Sequence, residues 1–317
     1  MENKWIVGID IGGTTIKIAF ISCIGEIIDK WEIPTNKNES GNKIPNEIAR
    51  SIEIKLEQHG QTKDQLLGAG AGAPGPINDN DGSVYVGVNI GWKNFPLKEE
   101  LQKELTLPVI VDNDANVAAL GEMWKGAGEG AKDMVCITLG TGVGGGVIAN
   151  GNILHGVNGA AGEIGHMTAV VEDGAPCNCG KFGCLETVAS ATGIVRLANE
   201  YLEMHEIPSV LRDIVPLTSK AIFDHAAAGD ALAQRIVEKV AFYLGVSIAN
   251  VANVTNPEKI VIGGGVSKAG KTLLDPIMKQ FRRFAFPRVV QGADLALAML
   301  GNDAGVIGAA WLVKNKI

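Results

Sequence analysis

One histidine and three cysteines crowd a short stretch of this 317-residue sequence: His166, then Cys177, Cys179 and Cys184. Four nitrogen and sulfur ligands suit tetrahedral Zn2+, and a site closed by four protein ligands is ordinarily structural. Thiols that merely share a loop are the plainer reading, but three of them spaced by Gly180 and Gly183 would be an odd accident. A metal there would pin the loop and orient His166. Glu163 lies just before His166 and Glu186 just after Cys184. Each could be a solvated surface charge. Held rigidly beside an imidazole, the two carboxylates would bind a hydroxyl-rich ligand such as a sugar, because every hydroxyl both donates and accepts.

Two glycine-rich turns carry a second kind of chemistry. Asp10-Ile11-Gly12-Gly13-Thr14-Thr15 lies between two apolar runs. One reading is a hairpin turn that needs positive φ. The other is a phosphate loop, with amides and hydroxyls for phosphate oxygens and a carboxylate for Mg2+ through water. The stretch 139–146, LGTGVGGG, repeats the theme. It contains G-x-G-x-x-G, yet the β-like Val147-Ile148 follows at once, whereas a dinucleotide fingerprint opens a helix at its third glycine. The similar pattern at 70–75 fails because of Pro74 and Pro76.

The segment 265–272 matches the P-loop pattern G-x-x-x-x-G-K-T in full, with Lys271 as its lysine. Too little chain follows to complete a P-loop sheet, and no strand ending in an aspartate follows to hold Mg2+. The match is read as chance, although 263–267 could still touch a nucleotide. Lastly, Asp112-Asn113-Asp114-Ala115-Asn116 follows a short apolar run. It reads as a helix N-cap and equally as a place for a general base at a strand end; the two are compatible.

The elements needed to hold these groups follow from periodicity. Strand, tight turn and strand are expected over 4–20, a third strand over 25–33, a helix over 46–59 and a small-residue strand over 66–73. A short helix is expected at 97–105, a strand at 108–111 and a helix at 116–125. Residues 134–150 repeat the opening hairpin, an imperfect duplication that predicts two lobes of related construction. Helical stretches follow at 189–202 and 221–254, a strand at 260–262 and a last helix at 304–314. Strands alternating with helices make the class α/β.

Glycine, at 41 residues, has about twice its average share. The formal charge of −7 argues against nucleic acid as the main partner, since phosphate backbones need a basic face. It does not exclude ATP. The opening MENKWIVGID passes straight into a strand, so no signal peptide is expected, and no apolar run is long enough for a bilayer. A cytoplasmic protein without membrane contact is expected.

Together and in this order, DIGGTTIK (10–17), GAPGPI (72–77), VNIGW (88–92), VDNDANVAALGE (111–122), LGTGVGGGVI (139–148), GVNGAAGEIGHM (156–167) and CNCGKFGCLE (177–186) resemble the ROK family of repressors and sugar kinases. Within it they are similar to the bacterial glucokinases, and the likeness covers essentially the whole chain. It implies an actin-like ATPase (ribonuclease H-like) fold, with two lobes and an interlobe cleft for ATP and sugar. The small lobe would be 1–115, joined by the helix 303–317. The large lobe would be 116–302, with the zinc loop and dimer-type helices.

The resemblance also implies ATP-dependent phosphorylation of a hexose, glucose first, with ATP, Mg2+ and structural Zn2+ (His166, Cys177, Cys179, Cys184) as cofactors and a homodimer as the assembly. Asp114 would be the catalytic base. Asn89, Asn113, Asp114, Glu163, His166 and Glu186 would contact the sugar, His166 giving one ring nitrogen to zinc and one to sugar. Asp10, Gly12, Gly13, Thr14, Thr15 and Lys17, with Gly140, Thr141, Gly142, Gly144, Gly264 and Gly265, would hold ATP and Mg2+. N-acetylmannosamine, mannose, fructose or allose are the alternative substrates. A non-catalytic sugar-sensing regulator is the alternative class. The aspartate at 114 and the lack of room for a DNA-binding domain before Asp10 count against it.

Overall fold

The structure is a computed structural model that describes residues 3–316. Its contacts divide the chain into two units. The first runs to Gly130 and takes in Ile153–Ala161 and the chain from Asn302 onward; the second is Ala131–Asn152 with Gly162–Gly301.

The first unit opens with β1 (Trp5–Ile11), β2 (Thr15–Ser22) and β3 (Ile27–Pro34), an antiparallel meander. β1 is central and buried almost throughout, as an apolar run broken by Asp10 alone predicts. β3, at the sheet edge, alternates half-buried and exposed. Helix α1 (Ile44–Gln58) buries Ile44, Ile48, Ile52 and Leu56, one face at a spacing of one turn. Next comes β4 (Leu66–Ala73), then a hairpin not foreseen from the sequence, β5 (Val84–Gly87) with β6 (Trp92–Phe95). Its strands are too short for alternation to register, and it is held by Trp92, 1% exposed and stacked on Phe95 at 4.7 Å. Helix α2 (Leu97–Leu105), β7 (Val109–Asn113) and α3 (Asp114–Lys125) follow. β1, β4 and β7 are parallel, giving the order β3-β2-β1-β4-β7.

The second unit repeats this construction. β8 (Met134–Leu139), β9 (Val143–Ala149) and the short β10 (Asn152–Ile153) begin its sheet. After the cysteine-rich loop come α4 (Glu186–Ala189), α5 (Ala191–Met204), α6 (Ser219–Ala227) and α7 (Ala231–Thr255). The helical stretch 221–254 is thus two helices, broken where the Asp230 carboxylate accepts from Ala233 N–H and caps α7. β11 (Lys259–Gly263), α8 (Lys271–Phe284), α9 (Pro287–Gly292) and β12 (Asp294–Leu297) complete it. The order β10-β9-β8-β11-β12, with an antiparallel hairpin and then parallel strands, matches that of the first sheet. The duplication anticipated from the two glycine-rich turns is therefore one of whole sheets. Each unit has its own apolar core.

The final helix, α10 (Ala304–Lys316), belongs to the first unit, where it packs on α3, β1 and β4. This packing explains why the first unit reaches Gly130, whereas a boundary at 115 was expected: α3 is part of it. The contact is backbone to backbone. A Cβ on Gly70 would lie 1.8 Å from the Ala309 carbonyl oxygen, and one on Gly308 1.6 Å from that of Val117. Gly308→Ala is therefore expected to cost about 1–3 kcal/mol or more, since neither backbone can yield. Urea denaturation of the variant checks this; a wild-type midpoint would show that α10 shifts freely.

Candidate active site

In the first unit, the carboxyl ends of the parallel strands bring the candidate residues together, as open α/β sheets generally do. Lys17, Asp10, Gly72 and Asp112 form one row across β2, β1, β4 and β7. Asp10 is largely buried, and burial pushes its carboxyl above the usual range, opposed by Lys17, whose Nζ lies 3.4 Å away. A desolvated carboxylate with one long ion pair fits a divalent cation. The turn beyond it is closed by Gly12 N–H donating to the Thr15 carbonyl (3.1 Å) and braced by the Thr35 hydroxyl donating to the Gly12 carbonyl (2.6 Å).

Asn89 stands in the β5–β6 turn and lies against this loop: a Cβ on Gly13 would meet that of Asn89 at 3.0 Å. A candidate sugar contact and a candidate phosphate loop are thereby neighbours. At the β7–α3 junction, Asn113 is the N-cap of α3. Its Oδ1 accepts from the N–H groups of Ala115 (2.9 Å) and Asn116 (3.3 Å), and its Nδ2 donates to the Gly75 carbonyl (3.1 Å). The next residue, Asp114, opens the helix and is exposed. The two readings of this motif overlap at adjacent residues: Asn113 is the cap, and the exposed Asp114 shares one of its donors, its Oδ1 accepting from Ala115 N–H at 2.8 Å.

In the second unit, residues 140–142 form the tight turn between β8 and β9, with Gly140 N–H donating to the Gly142 carbonyl at 2.9 Å. Gly264, at φ +83°, backs onto Leu139, where a Cβ would come within 2.4 Å of the carbonyl oxygen, so this glycine pair sits beside the turn. Gly265 borders a cavity of about 120 Å3 with Phe223, Lys220, Asp224 and Lys268. The P-loop match folds otherwise than a phosphate loop. Ser267 N–H donates to the Gly264 carbonyl and Gly270 N–H to the Ser267 carbonyl, so these amides turn inward, and Lys271 begins α8 as an exposed residue. Lys271→Ala is accordingly expected to leave nucleotide affinity unchanged. A titration showing loss of ATP binding in that variant would restore the P-loop reading.

The zinc candidates converge. One ligand atom from each of His166, Cys177, Cys179 and Cys184 lies within 4.8 Å of all the others. Cys179 and Cys184 Sγ are 3.6 Å apart, and His166 Nδ1 is 3.5 Å from Cys177 Sγ. Tetrahedral bonds of about 2.3 Å put sulfurs ~3.8 Å apart, so the cluster fits Zn2+. Burial pushes the Cys184 thiol up to about 12 and raises Cys177, whereas the Lys181 N–H lowers Cys179. With Nδ1 at the cluster, His166 directs Nε2 toward Glu163, 3.9 Å away.

Glu186 has a contact that spacing did not reveal. Its Oε2 accepts from Val143 N–H at 3.0 Å, the first residue after the 140–142 turn, while Oε1 lies 3.8 Å from Cys177 Sγ. Ala191 N–H donates to the Gly140 carbonyl (2.8 Å) and the Thr192 hydroxyl to that of Thr141 (3.1 Å). The metal loop and the second glycine-rich turn are therefore joined through the segment 184–192.

Residues 6–316 match the ROK family. A glucokinase from Halalkalibacterium halodurans is 60% identical over all of this chain and 97% of its own. Among solved structures, a ROK family transcriptional regulator, described as a homolog of the E. coli MLC protein, superposes with a TM-score of 0.88 at 30% identity, over 99% of this chain and 78% of that one. A ROK family glucokinase from Streptomyces griseus, in complex with glucose and AMPPNP, superposes with a TM-score of 0.76 at 35% identity, over 98% of this chain and 99% of that one.

Proposed function

This chain belongs to the ROK family, and from that premise we propose that it is an ATP-dependent hexose kinase, a glucokinase that moves the γ-phosphoryl group of ATP to the 6-hydroxyl of glucose. The observation that carries the reading is the exposed carboxylate of Asp114 at the carboxyl end of β7, next to the Asn113 side chain that caps the helix.

The hydroxyl oxygen attacks Pγ in line. Its bond to phosphorus forms as the bond to the β–γ bridging oxygen breaks, ADP departs, and Asp114 accepts the hydroxyl proton. Asn89, Glu163 and His166 Nε2 hold the other hydroxyls. Asn113 adds its remaining amide hydrogen and Glu186 its Oε1, which is released from the Cys177 thiol when that sulfur binds zinc as a thiolate. The amides and hydroxyls of Gly13, Thr14 and Thr15, with Lys17, and those of Thr141, Gly142 and Gly144 hold phosphate oxygens, Gly12 and Gly140 closing the two turns with their own N–H groups, while Gly264 and Gly265 border the rest of the nucleotide. Mg2+, held near Asp10, would neutralise charge on the phosphates. Zn2+ on His166, Cys177, Cys179 and Cys184 would be structural.

Thiolate ligands suit a reducing compartment, so the cytoplasm is its place. Among the described residues no helix is long and apolar enough to cross a membrane. The assembly is a homodimer. A coupled ADP-release assay with ATP and Mg2+ across glucose, mannose, fructose, allose and N-acetylmannosamine tests the activity. Selective turnover of glucose supports it, and preference for another hexose keeps the chemistry but changes the sugar. The regulator with a TM-score of 0.88 makes a sugar sensor the second reading. Zinc-loaded protein inert toward every sugar would bring that reading to the front.

A further inference from the structure

Asp112 is 4% exposed, and a buried carboxylate persists only if its oxygens are satisfied. Oδ1 accepts from Asn113 N–H (2.7 Å) and from Asn116 Nδ2 (2.9 Å). Those two residues flank Asp114 along the chain, so the orientation of Asp112 sets the backbone that carries it. Oδ2 is held by His155 Nε2 at 2.8 Å. The other ring nitrogen, Nδ1, faces Asp79 Oδ2 at 3.6 Å. The buried Asp112 Oδ2 needs a donor at Nε2, and the imidazolium alone adds a second N–H, at Nδ1, toward the part-exposed Asp79.

We propose that His155 is a positioning residue for phosphoryl transfer: its imidazolium, clamped between Asp112 and Asp79, locks the β7–α3 junction so that Asp114 meets the sugar hydroxyl. The inference rests on the reading of Asp114 as the base. His155 lies outside the motifs that carry the family likeness, at the start of a loop it also closes, since its carbonyl accepts from Ala161 N–H at 3.0 Å. The charge state suits the role. The Asp112 hydrogen bond raises the imidazole above its usual range, burial opposes this, the charges of Asp112 and Asp79 add to it, and Lys316 lowers it slightly. A raised value means that the clamp is complete below the ordinary imidazole range and is lost as pH rises through the raised one.

The test is steady-state kinetics with melting curves on H155A, H155Q, D112N and H155A/D112N. H155A is expected to lose about 10- to 100-fold in kcat, as a small misplacement of a reacting group does, with KM for both substrates little changed. H155Q keeps a donor that does not titrate. It is expected to recover most of the rate at neutral pH and to lack the alkaline decline in kcat expected of the wild type. The double variant should be no slower than D112N alone, because both act through one carboxylate. Wild-type kcat in H155A, or losses that multiply in the double variant, would overturn the proposal. So would an H155Q profile that retains the wild-type alkaline limb. His155 is half-exposed, so its variants remain informative even if D112N fails to fold. D114N is the control: full activity there removes the base itself, whereas an inactive D114N beside a normal H155A removes only the role of His155.

Discussion

Asp114→Ala is expected to lower kcat by about 10²–10⁴-fold, the usual contribution of a positioned proton acceptor, while the protein melts near the wild-type temperature. Both halves of that expectation come from the β7–α3 junction. Asn113 accepts from both Ala115 and Asn116 N–H, and Asp114 only shares the first of these donors, so the helix keeps its cap when Asp114 is truncated. Asp114 is exposed, so no cavity is left. The residual stability cost is the loss of one acidic residue in the first turn, with its shared bond to Ala115 N–H, about 1 kcal/mol. The kinetic loss corresponds to roughly 3–5 kcal/mol of barrier. Stability and rate therefore separate clearly. Asp114→Asn sharpens the test, because it keeps shape and polarity and removes only basicity. A kcat for D114N within a few-fold of the wild type would end the assignment of this residue as the base.

Stripping the metal is the second large effect. A chelator should lower the melting temperature, because the binding energy of a structural zinc, of order 10 kcal/mol in small domains, is folding energy for the loop it closes. Two thiols raised by burial, Cys184 to about 12, must lose protons to bind the ion. Metal loss should therefore be easier as pH falls, since protons compete for the same sulfurs. Activity should fall with it, and KM for ATP should rise along with that for the sugar. The second rise distinguishes this structure from one in which the metal merely shapes a sugar pocket. Glu186, two residues beyond Cys184, bonds Val143 N–H, and Ala191 bonds the Gly140 carbonyl, so the loop and the turn move together. Glu186→Gln should keep its zinc, as metal analysis would show, yet weaken ATP roughly tenfold through loss of a charge-assisted bond. Zinc-free protein with an unchanged KM for ATP would show the two parts to be independent.

Much of the fold and of the candidate site is legible in the amino-acid sequence. The two hairpins with glycine-rich turns and the buried central strands show in mainly apolar runs, and the main helices of the first unit show in their one-turn spacing. The zinc cluster is legible because its ligands sit within a short stretch whose chemistry leaves few alternatives. Other features are not. The β5–β6 hairpin that holds Asn89 is too short for alternation to register. The P-loop pattern at 265–272 is correct as a string, but its loop amides are spent within a tight turn. Asn113 and Asp114 are adjacent polar residues in sequence, and only the hydrogen bonds show that Asn113 takes two donors of the helix while Asp114 shares one of them. Glu186 reads as a sugar contact because of its neighbours, and its bond to Val143 spans 43 positions.

The class of fold, the duplication, the family and the residue types at each strand end are written along the chain, because periodicity and turn chemistry are local properties. Packing in three dimensions makes Gly70 and Gly308 places where backbone meets backbone, sets the metal loop against a turn, and brings His155 to Asp112. Those pairings join positions far apart in the chain. They exist only because separately formed elements pack until buried polar atoms find partners, and no spacing rule along the chain records that choice.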